Sequence, residues 1–408
     1  MRNILNVNNY HYRRGGSDVL YLEHAKIFEQ LGWNSSYFAM QHPENESSPW
    51  SRFFVNELEF GNEYTLSQKV GMAAKVVYSF EAKSKLRALL REFPADVAHL
   101  HCIYHHLSPS ILPTLREAGI PVVLTAHDLK LACPAYKMMN SQGICERCKT
   151  GSFLNVVRHR CIKGSVAAST VVAVESIFHR FMGTYKKNIN IVVAPSQFIA
   201  QKLIDWGWPV DRIAYIPNYV DKDHFVPGFG NGKYFLYFGR MIRDKGVATL
   251  IQAAHMAGVP LRLAGTGPDE EDFRRLASSL GGDTVFLGYQ NGERLHELIR
   301  GARAVVLPSE IYENAPMSVL ESFALGTPAI GADIGGIPEI IEQSKTGWLF
   351  PSGHVSALSE VLRSVQDTEN AVLKAMGQQA RSVVELRYSR QGYLDSMLGL
   401  YSSLGVRF

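Results

Sequence analysis

The stretch AVVLPSEIYENAPMSVLESFALGTPAIG, residues 304–331, contains the pattern that decides the fold. It begins with a short apolar run at 304–307 and ends with another at 328–331, and both runs have the length of a buried strand. Between them lies a helical stretch with Pro316 in its first turn and a Gly-Thr-Pro sequence at its end. Strand, helix and strand in this order predict two parallel strands joined by a crossover helix.

Two carboxylates interrupt this otherwise apolar unit. Glu313 lies in the loop before the helix, and Glu321 lies in the second turn, among apolar positions. A buried carboxylate is costly unless it accepts hydrogen bonds, and helical side chains lean toward the helix N-terminus. Both carboxylates and the free N–H groups of the first turn are therefore expected to converge on one anionic ligand with hydroxyl groups, such as a sugar nucleotide. The alternative is a structural ion pair.

The same alternation of strands and helices extends along nearly the whole chain. It predicts an α/β protein with two doubly wound, Rossmann-like domains that face each other across a cleft. The glycine-rich segment Asp223–Tyr234 is the expected boundary, which gives domains at 1–225 and 226–388. Residues 389–408 are expected to form a helix that crosses back to the first domain. The candidate strands are residues 4–7, 36–39, 97–100, 122–126, 189–194, 213–216, 234–238, 261–264, 285–287, 304–307, 328–331 and 348–350.

Composition and charge narrow the classes of function. The chain has 408 residues, 46% of them hydrophobic and 20% charged, which is typical of a soluble protein with two domains. Its net charge of +4 is too small to indicate a nucleic-acid partner. The most apolar stretch, Ser165–Met182, contains Glu175, His179 and Arg180, so we do not expect it to span a membrane. Five cysteines without a recognisable secretory signal favour a cytoplasmic protein.

Glycines and cations follow several candidate strands. Gly15 and Gly16 precede an amphipathic helix, where the backbone can approach an anion, although an ordinary tight turn gives the same pattern. Arg240 and Lys245 lie at and just past a strand end, where two cations suit a diphosphate, although solvated basic loops are common. The next such loop, LAGTGPDEE, lacks the third glycine of a dinucleotide fingerprint, so NAD binding is not expected.

Four cysteines have a spacing that suits a metal. Cys133, Cys145, Cys148 and Cys161 form a C-x11-C-x2-C-x12-C pattern. The central pair is typical of tetrahedral thiolate coordination, and the outer pair completes four ligands. We predict a structural zinc here; the alternatives are four free thiols or a disulfide formed on purification. Cys102 is expected in the core.

Taken together, the motifs resemble a known family. The segment PSEIYENAPMSVLESFALGTPAI is similar to the E-x7-E segment of retaining GT-B glycosyltransferases of family 4, also described as glycosyl transferases group 1. GRMIRDKG, LAGTGPDEE, VAPSQFIAQKLI and IPNYVDKDHF resemble other blocks of the family, and GGSDVLYLEHAKIFEQLGW and TAHD resemble its N-terminal side. The chain departs from the family pattern at Tyr219, where glycine is usual, and at Asp18, where many members have glutamate.

The resemblance implies roles for individual residues. Arg240 and Lys245 would bind the donor diphosphate, Glu321 the ribose hydroxyls, and Glu313 the donor sugar. His127 would approach the sugar, although a histidine at that position taken alone is more often part of a core. The implied catalytic set is His127, Arg240, Lys245 and Glu313. The implied donor-binding set shares Arg240, Lys245 and Glu313 with the catalytic set. Its other members are Glu321, Gly15, Gly16, Gly239, Gly265, Gly267, Gly288, Asn314, Ala315, Pro316, Met317 and Ser318.

The implied activity is transfer of a sugar from a UDP- or GDP-sugar to a glycan or lipid-linked acceptor, with retention and without a catalytic metal. Cell-surface polysaccharide, lipopolysaccharide or glycolipid synthesis is the expected setting. The alternatives are a GT-B-like epimerase or phosphorylase, a non-catalytic nucleotide-sugar binder, and a zinc-module nucleic-acid protein. The basic, amphipathic stretch Lys75–Phe93 is typical of helices that lie on anionic membranes, and one interpretation is peripheral association of a cytoplasmic protein with the cytoplasmic face of the inner membrane. A solvated helix face is the alternative for that stretch.

Overall fold

The computed structural model describes residues 2–58, 65–229 and 232–407. Its strands are β1 (Asn3–Val7), β2 (Asn34–Phe38), β3 (Val97–Leu100), β4 (Val122–Thr125), β5 (Met139–Asn140), β6 (Gly143–Ile144), β7 (Ile191–Ala194), β8 (Ile213–Tyr215), β9 (Tyr234–Phe238), β10 (Leu261–Ala264), β11 (Thr284–Gly288), β12 (Ala302–Leu307), β13 (Ala329–Ala332) and β14 (Gly347–Phe350).

Helices separate most of these strands. They are α1 (Gly16–Gln30), α2 (Leu66–Val77), α3 (Phe80–Glu92), α4 (Leu112–Glu117), α5 (Asn155–Arg158), α6 (Val166–Met182), α7 (Thr184–Asn188), α8 (Gln197–Asp205), α9 (Val247–Ala257), α10 (Glu270–Leu280), α11 (Gly292–Arg300), α12 (Met317–Ala324), α13 (Ile337–Ile340), α14 (Val355–Asp367), α15 (Asn370–Arg387) and α16 (Arg390–Ser403).

The chain divides into two compact units. The first contains Met1–Ile216 together with Leu394–Phe408, and the second contains Pro217–Tyr393. The boundary expected from the sequence, between residues 225 and 226, falls inside the second unit, and two residues of the glycine-rich segment, 230 and 231, lie outside the described residues. Most of α16 belongs to the first unit.

The first unit is built on a six-stranded parallel sheet. Its strand order is β2-β1-β3-β4-β7-β8. Every residue of β3 and β4 is buried, as expected for parallel strands that are covered by helices on both faces. Since β2 lies on one side of β1 and β3 on the other, the strand order reverses between β1 and β3.

The second unit contains a second six-stranded parallel sheet, with the order β11-β10-β9-β12-β13-β14. Its core packs side chains of the sheet, such as Phe235 and Tyr237, against those of the surrounding helices, such as Phe323 and Leu362. From β9 the next strands along the chain, β10 and β11, extend toward one edge of the sheet. From β12 the strands β13 and β14 extend toward the other edge. The topological switch point, where ligands of such sheets bind, is therefore at the carboxyl ends of β9 and β12.

The predicted fold class is confirmed. The candidate strands correspond to the strands of the two sheets, and each observed strand end lies within two residues of its predicted position. The antiparallel pair β5–β6 was not predicted, because two strands of two residues each leave no periodic pattern in the sequence.

The stretch Lys75–Phe93, interpreted from the sequence as one amphipathic helix, divides into two helical segments. The stretch is the end of α2 followed by α3, and Ser79 caps α3 by accepting a hydrogen bond from the N–H of Ala82 at 3.1 Å. The apolar side chains of α3, including Leu86 and Leu89, are buried in the protein. Because the core covers these side chains, most of α3 fits the solvated helix face, although Phe80 at its start is 77% exposed. Among the residues that the structure describes, no helix is both long and apolar enough to cross a bilayer.

Candidate functional site

The predicted donor residues of the second unit lie in loops at its switch point. Lys245 follows β9 in a short 3-10 turn, Arg243–Lys245, and Glu313 follows β12. The two strands are parallel neighbours, so their carboxyl ends share one edge of the sheet. As a result, residues separated by 68 positions in the chain meet at this edge.

Backbone packing between loops fixes this edge. Gly246 has φ +69°, and a Cβ atom there would lie 1.9 Å from the carbonyl oxygen of Pro308, in the loop after β12. Gly265 has φ +139°, and a Cβ atom there would lie 1.9 Å from the carbonyl oxygen of Gly239. Any side chain would push these loops apart, so glycine is required at both positions. These glycines act by bringing loops together.

The remaining glycines of the donor set that belong to the second unit lie at the same edge. Gly267 follows β10, and Gly288 is the last residue of β11. The N–H of Gly265 donates a hydrogen bond to the carbonyl oxygen of Gly288 at 2.7 Å, so the loops after β10 and β11 are also tied together.

Lys245 and Glu313 form an ion pair. The Lys245 Nζ atom lies 2.6 Å from Glu313 Oε1, and the Ser309 hydroxyl donates a hydrogen bond to the same carboxylate oxygen. The loop of Glu313 is held in turn by the N–H of Gly336, which donates to the Glu313 carbonyl oxygen at 2.8 Å. The Glu313 carboxylate therefore has two partners before any ligand binds.

Arg240 provides a second cation at this edge. It follows Gly239 directly after β9, and its residue is exposed. Its carbonyl oxygen accepts a hydrogen bond from the Tyr237 hydroxyl at 2.8 Å, which fixes the backbone. No residue in the described part of the chain pairs with its guanidinium group, so that charge is available to an anion.

Helix α12 begins at the same edge. Pro316 is its N-cap residue, one position before the first turn in which the sequence placed it, and Met317 and Ser318 open the helix. The loop before it contains Asn314, which is partly buried, and Ala315, whose carbonyl oxygen accepts a hydrogen bond from Asn218 Nδ2 at 3.2 Å. The first N–H groups of a helix lack intrahelical partners and carry partial positive charge.

Glu321 differs sharply from Glu313. Burial raises the pKa of its carboxyl group to about 7 from the usual 4.5, although part of the residue still reaches the surface. Within the described residues, its carboxylate has neither an ion-pair partner nor a hydrogen-bond donor. The structural ion pair considered above therefore applies to Glu313 and not to Glu321. A buried acceptor without a partner is the kind of group that a bound hydroxyl satisfies.

The predicted residues of the first unit are placed at its own sheet edge. Gly15 is the N-cap of α1, and a Cβ atom on Gly16 would meet no atom within 4 Å. His127 follows β4, and its Nε2 atom lies 2.7 Å from Nδ1 of His101. Burial lowers the pKa of His127 to about 4, so its imidazole is neutral at neutral pH. The roles of these residues toward a donor remain predictions.

His127 ends a column of buried histidines that the sequence reading missed. His24 and His99 have ring centroids 4.2 Å apart, His99 and His101 are 4.9 Å apart, and His101 and His127 stack at 5.0 Å. The Tyr401 hydroxyl lies 3.1 Å from Nε2 of His24 and 2.5 Å from Nδ1 of His99. One available signal was the His-Leu-His sequence at the end of β3, since alternate residues of a strand face the same side.

Ser309 was also missed as a site residue. The Ser309 hydroxyl donates a hydrogen bond to Glu313, four residues later in the chain. The Ser309 carbonyl oxygen accepts a hydrogen bond from the Ser352 hydroxyl at 2.8 Å. The Pro-Ser sequence after β12 marked a strand end, but nothing in the sequence indicated where the hydroxyl points.

The four cysteines of the predicted zinc site line one small cavity, together with His159. Cys133 and Cys148 are buried, and burial together with the other three thiols raises the pKa of Cys148 to about 12. Within the described ranges, however, no group of three or more His, Cys, Asp or Glu side chains is arranged to hold a metal ion. The shared cavity is compatible with a zinc site, but the side chains do not converge on one point, so zinc stays a prediction.

Metal content tests that prediction. Freshly purified protein, kept reduced and free of chelators, is expected to contain about one zinc per chain by elemental analysis, because the four cysteines of one cavity supply the number of thiolates that a tetrahedral zinc needs once their side chains turn toward it. Cys148→Ser should lose the zinc, whereas Cys102→Ser, which changes a cysteine outside the cavity, should keep it. Wild-type protein without zinc would contradict the prediction.

Comparisons with known proteins match both units. Residues 14–224 match the family model described as Glycosyltransferase Family 4, and residues 220–383 match the model described as Glycosyl transferases group 1. An uncharacterized glycosyltransferase of Methanocaldococcus jannaschii is 34% identical over 209 residues, covering 46% of this chain and 53% of that protein. The O-antigen chain mannosyltransferase C of Escherichia coli is 29% identical, covering 42% and 47%. The chain thus spans about half the length of these curated relatives.

Solved structures resemble the fold over the full length. Sucrose-phosphate synthase from Thermosynechococcus elongatus superposes with a TM-score of 0.73 at 20% identity, covering 99% of both chains. Anabaena HepE, solved in complex with UDP and glucose, superposes with a TM-score of 0.68 at 16% identity, covering 99% of this chain and 100% of that one. At such identities the likeness supports the GT-B fold of two Rossmann-like domains and nothing beyond it.

Proposed function

The chain belongs to Glycosyltransferase Family 4, and on this premise we propose that it transfers a sugar from a nucleotide-sugar donor to a hydroxyl group of a glycan or lipid-linked acceptor. One observation carries the proposal. At the switch point of the second unit, the cations Arg240 and Lys245 lie at the same sheet edge as helix α12, whose Glu321 carboxylate has no described partner. A diphosphate requires the positive charge, and a ribose supplies hydroxyl donors to a carboxylate.

When the donor binds, Lys245 and Glu313 are proposed to contact different parts of it. Lys245 would form an ion pair with the diphosphate, and Glu313 would accept hydrogen bonds from the sugar. Because Lys245 and Glu313 neutralise each other when unliganded, Arg240 and the first N–H groups of α12 supply the net positive charge that attracts the donor.

The same groups are proposed to act in the reaction. As the sugar–phosphate bond breaks, negative charge grows on the departing diphosphate, and fixed positive groups stabilise it most at that moment. Arg240, Lys245 and the helix N-terminus would provide this stabilisation without a divalent cation. The acceptor hydroxyl would attack from the face that the diphosphate leaves and give its proton to the leaving phosphate, so that the sugar keeps its anomeric configuration. No enzymatic nucleophile is assigned.

The residues of the first unit receive supporting roles in this proposal. His127 would contact the donor sugar as a neutral imidazole, consistent with its lowered pKa. Gly15 and Gly16 would allow the first turn of α1 to meet the diphosphate. Polysaccharide or lipopolysaccharide synthesis at the cytoplasmic face of a membrane is the proposed setting, since one relative is named for O-antigen chain mannosyl transfer.

A thermal-shift screen with UDP-, GDP- and ADP-sugars tests the donor assignment. A donor at about 100 times its dissociation constant is expected to stabilise the protein by about 2.7 kcal/mol. At about 2–4 °C for each kcal/mol, the melting temperature rises clearly. UDP-sugars are the first choice, because the structurally similar Anabaena HepE was solved with UDP.

The control for this screen is Arg240→Ala, which removes an exposed cation without breaking a described contact. It should melt at the wild-type temperature without ligand and show a smaller shift with the donor. If none of the donors shifts wild-type protein, or if the shift is unchanged in Arg240→Ala, the proposed site is wrong.

A further inference from the structure

Helix α6 of the first unit exposes a row of apolar side chains and buries several polar ones beside Val172 and Ala173. Its buried face includes Ser169, Glu175 and His179. Its outer face carries Val166, Val174, Ile177 and Phe181, which are 48%, 50%, 43% and 87% exposed. Surface helices normally bury the apolar side and expose the polar side. We call these four exposed residues the α6 stripe.

Polar contacts hold the inner face of α6 in place. Lys130 Nζ lies 2.7 Å from Glu175 Oε2, and both side chains are 2% exposed. The Nε2–H group of His179 donates a hydrogen bond to the carbonyl oxygen of Val77 at 2.7 Å, and Nδ1 lies 3.0 Å from the hydroxyl of Thr184. These contacts fix the rotation of the helix about its axis. Turning the stripe inward would separate Glu175 from Lys130 and break the hydrogen bonds of His179.

The stripe follows one side of the helix, with the exposed polar residue Thr170 between Val166 and Val174. Its four residues fall within an arc of about 80° on a helix of 3.6 residues per turn, and they extend over about 22 Å. Phe178, beside the stripe, contacts the ring of Tyr78, which in turn contacts Phe80 at 4.8 Å; Phe80 is 77% exposed. Exposed apolar surface of this extent on a globular protein indicates a binding partner.

The charges around the stripe identify the partner. Between Glu146 and Asp205 the sequence contains nine lysines and arginines and a single acidic residue, Glu175. That acid is buried against Lys130, so the exposed charge of this region is positive. Arg180 lies within α6 and is exposed, and Lys186 and Lys187 follow in α7. An acidic protein partner would need a matching apolar groove, whereas an anionic bilayer supplies both properties at once.

We infer that the α6 stripe docks on an anionic lipid surface, with Ile177 and Phe181 inserted at the boundary between headgroups and acyl chains and the neighbouring lysines and arginines on the headgroups. The helix lies along the membrane plane and does not cross it, in line with its two-sided character. This inference is independent of the donor site, which belongs to the second unit.

Vesicle flotation of the full chain tests the inference. The protein is expected to float with vesicles of equal parts phosphatidylglycerol and phosphatidylcholine and to remain unbound with phosphatidylcholine alone. High salt should weaken the binding, since it screens the headgroup charge. Ile177→Ser combined with Phe181→Ser should lower the partition coefficient at least about ten-fold, because two apolar side chains no longer leave water.

A matched control is Leu386→Ser, which changes an 82% exposed apolar residue on α15 of the second unit. It should bind the anionic vesicles like wild type. All variants should keep the wild-type melting temperature, since the changed side chains are exposed. The inference is overturned if wild-type protein does not bind anionic vesicles, or if the double serine variant binds them as strongly as wild type. A dimer that dissociates in the serine variant, without vesicle binding, would instead assign the stripe to a second copy of the chain.

Discussion

Turnover by the Lys245→Met variant is expected to fall by about two to three orders of magnitude, the usual cost of removing one preorganised group that stabilises transition-state charge. Methionine keeps most of the side-chain volume of Lys245 and removes its charge. The variant also leaves Glu313 without its cation, so among the described residues the Glu313 carboxylate keeps only the hydrogen bond from Ser309. The rate to measure is release of nucleoside diphosphate from the donor that the thermal-shift screen identifies.

The control for this prediction is in the same turn. Arg243 is two residues before Lys245, but it pairs with Asp272 at 2.8 Å and is largely exposed. Arg243→Ala also removes one positive charge, and it should keep turnover within a few-fold of wild type. A purely structural Lys245–Glu313 pair predicts a different outcome. In that case Lys245→Met melts earlier, while the protein that stays folded turns over at nearly the wild-type rate.

Glu321→Gln is expected to weaken nucleoside diphosphate binding and to stabilise the unliganded protein. A hydrogen bond to a charged acceptor contributes about 1.5–3 kcal/mol, so the dissociation constant should rise about 10- to 100-fold when the carboxylate becomes an amide. Calorimetric titration with UDP measures this change. Glu313→Gln, by contrast, should bind UDP nearly as tightly as wild type, because Glu313 is proposed to contact the sugar.

The stabilisation by Glu321→Gln should depend on pH. Burial raises the pKa of Glu321 to about 7 in the folded protein, whereas the unfolded chain has the ordinary pKa of 4.5. Between pH 4.5 and 7 the folded protein therefore keeps a proton that the unfolded chain has released. Wild-type stability therefore falls as pH rises from 4.5 through 7, and the loss is complete above that range. One pKa unit is worth about 1.4 kcal/mol, and since the residue is partly exposed we expect a loss of about 2 kcal/mol.

Melting curves across pH check the sign of this effect. At about pH 8 the glutamine variant should be the more stable protein, and at about pH 4, below the unfolded pKa, the two should be nearly equal. Glu360→Gln changes an exposed glutamate on α14 and should have neither effect. If Glu321→Gln binds UDP normally and melts earlier than wild type at both pH values, Glu321 is a structural residue and the proposed ribose contact is wrong.

The sequence predicts the location of the donor residues because the carboxyl ends of parallel strands share an edge. Arg240, Lys245 and Glu313 each follow a strand, and the strand pattern alone brings their loops together. The pattern does not show that Lys245 is already paired and that Arg240 is not. Side-chain direction in a loop depends on contacts such as that between Ser309 and Glu313, which have no periodic signal in the sequence.

Helix α6 shows where periodicity misleads. Its apolar residues recur at the spacing that normally marks a core-facing side, yet that side is exposed. The reason is Lys130, which lies 45 residues away and pairs with Glu175 on the opposite side of the helix. Long-range contacts such as this one therefore outweigh the local pattern. The histidine column has a similar basis, because Tyr401 and His99 are separated by 302 residues and meet only in the folded unit.

The path of the chain also determines the order in which the two units can be completed during synthesis. The first unit includes residues 394–407, and Tyr401, fully buried beside His24, belongs to its core. The second unit is a continuous segment, so all of its residues leave the ribosome before the first unit has its last helix. At about 5–20 residues per second, the first 216 residues wait roughly ten seconds or more for that helix. During this time the nascent first unit lacks the side chain of Tyr401, which is fully buried in the core of the completed unit.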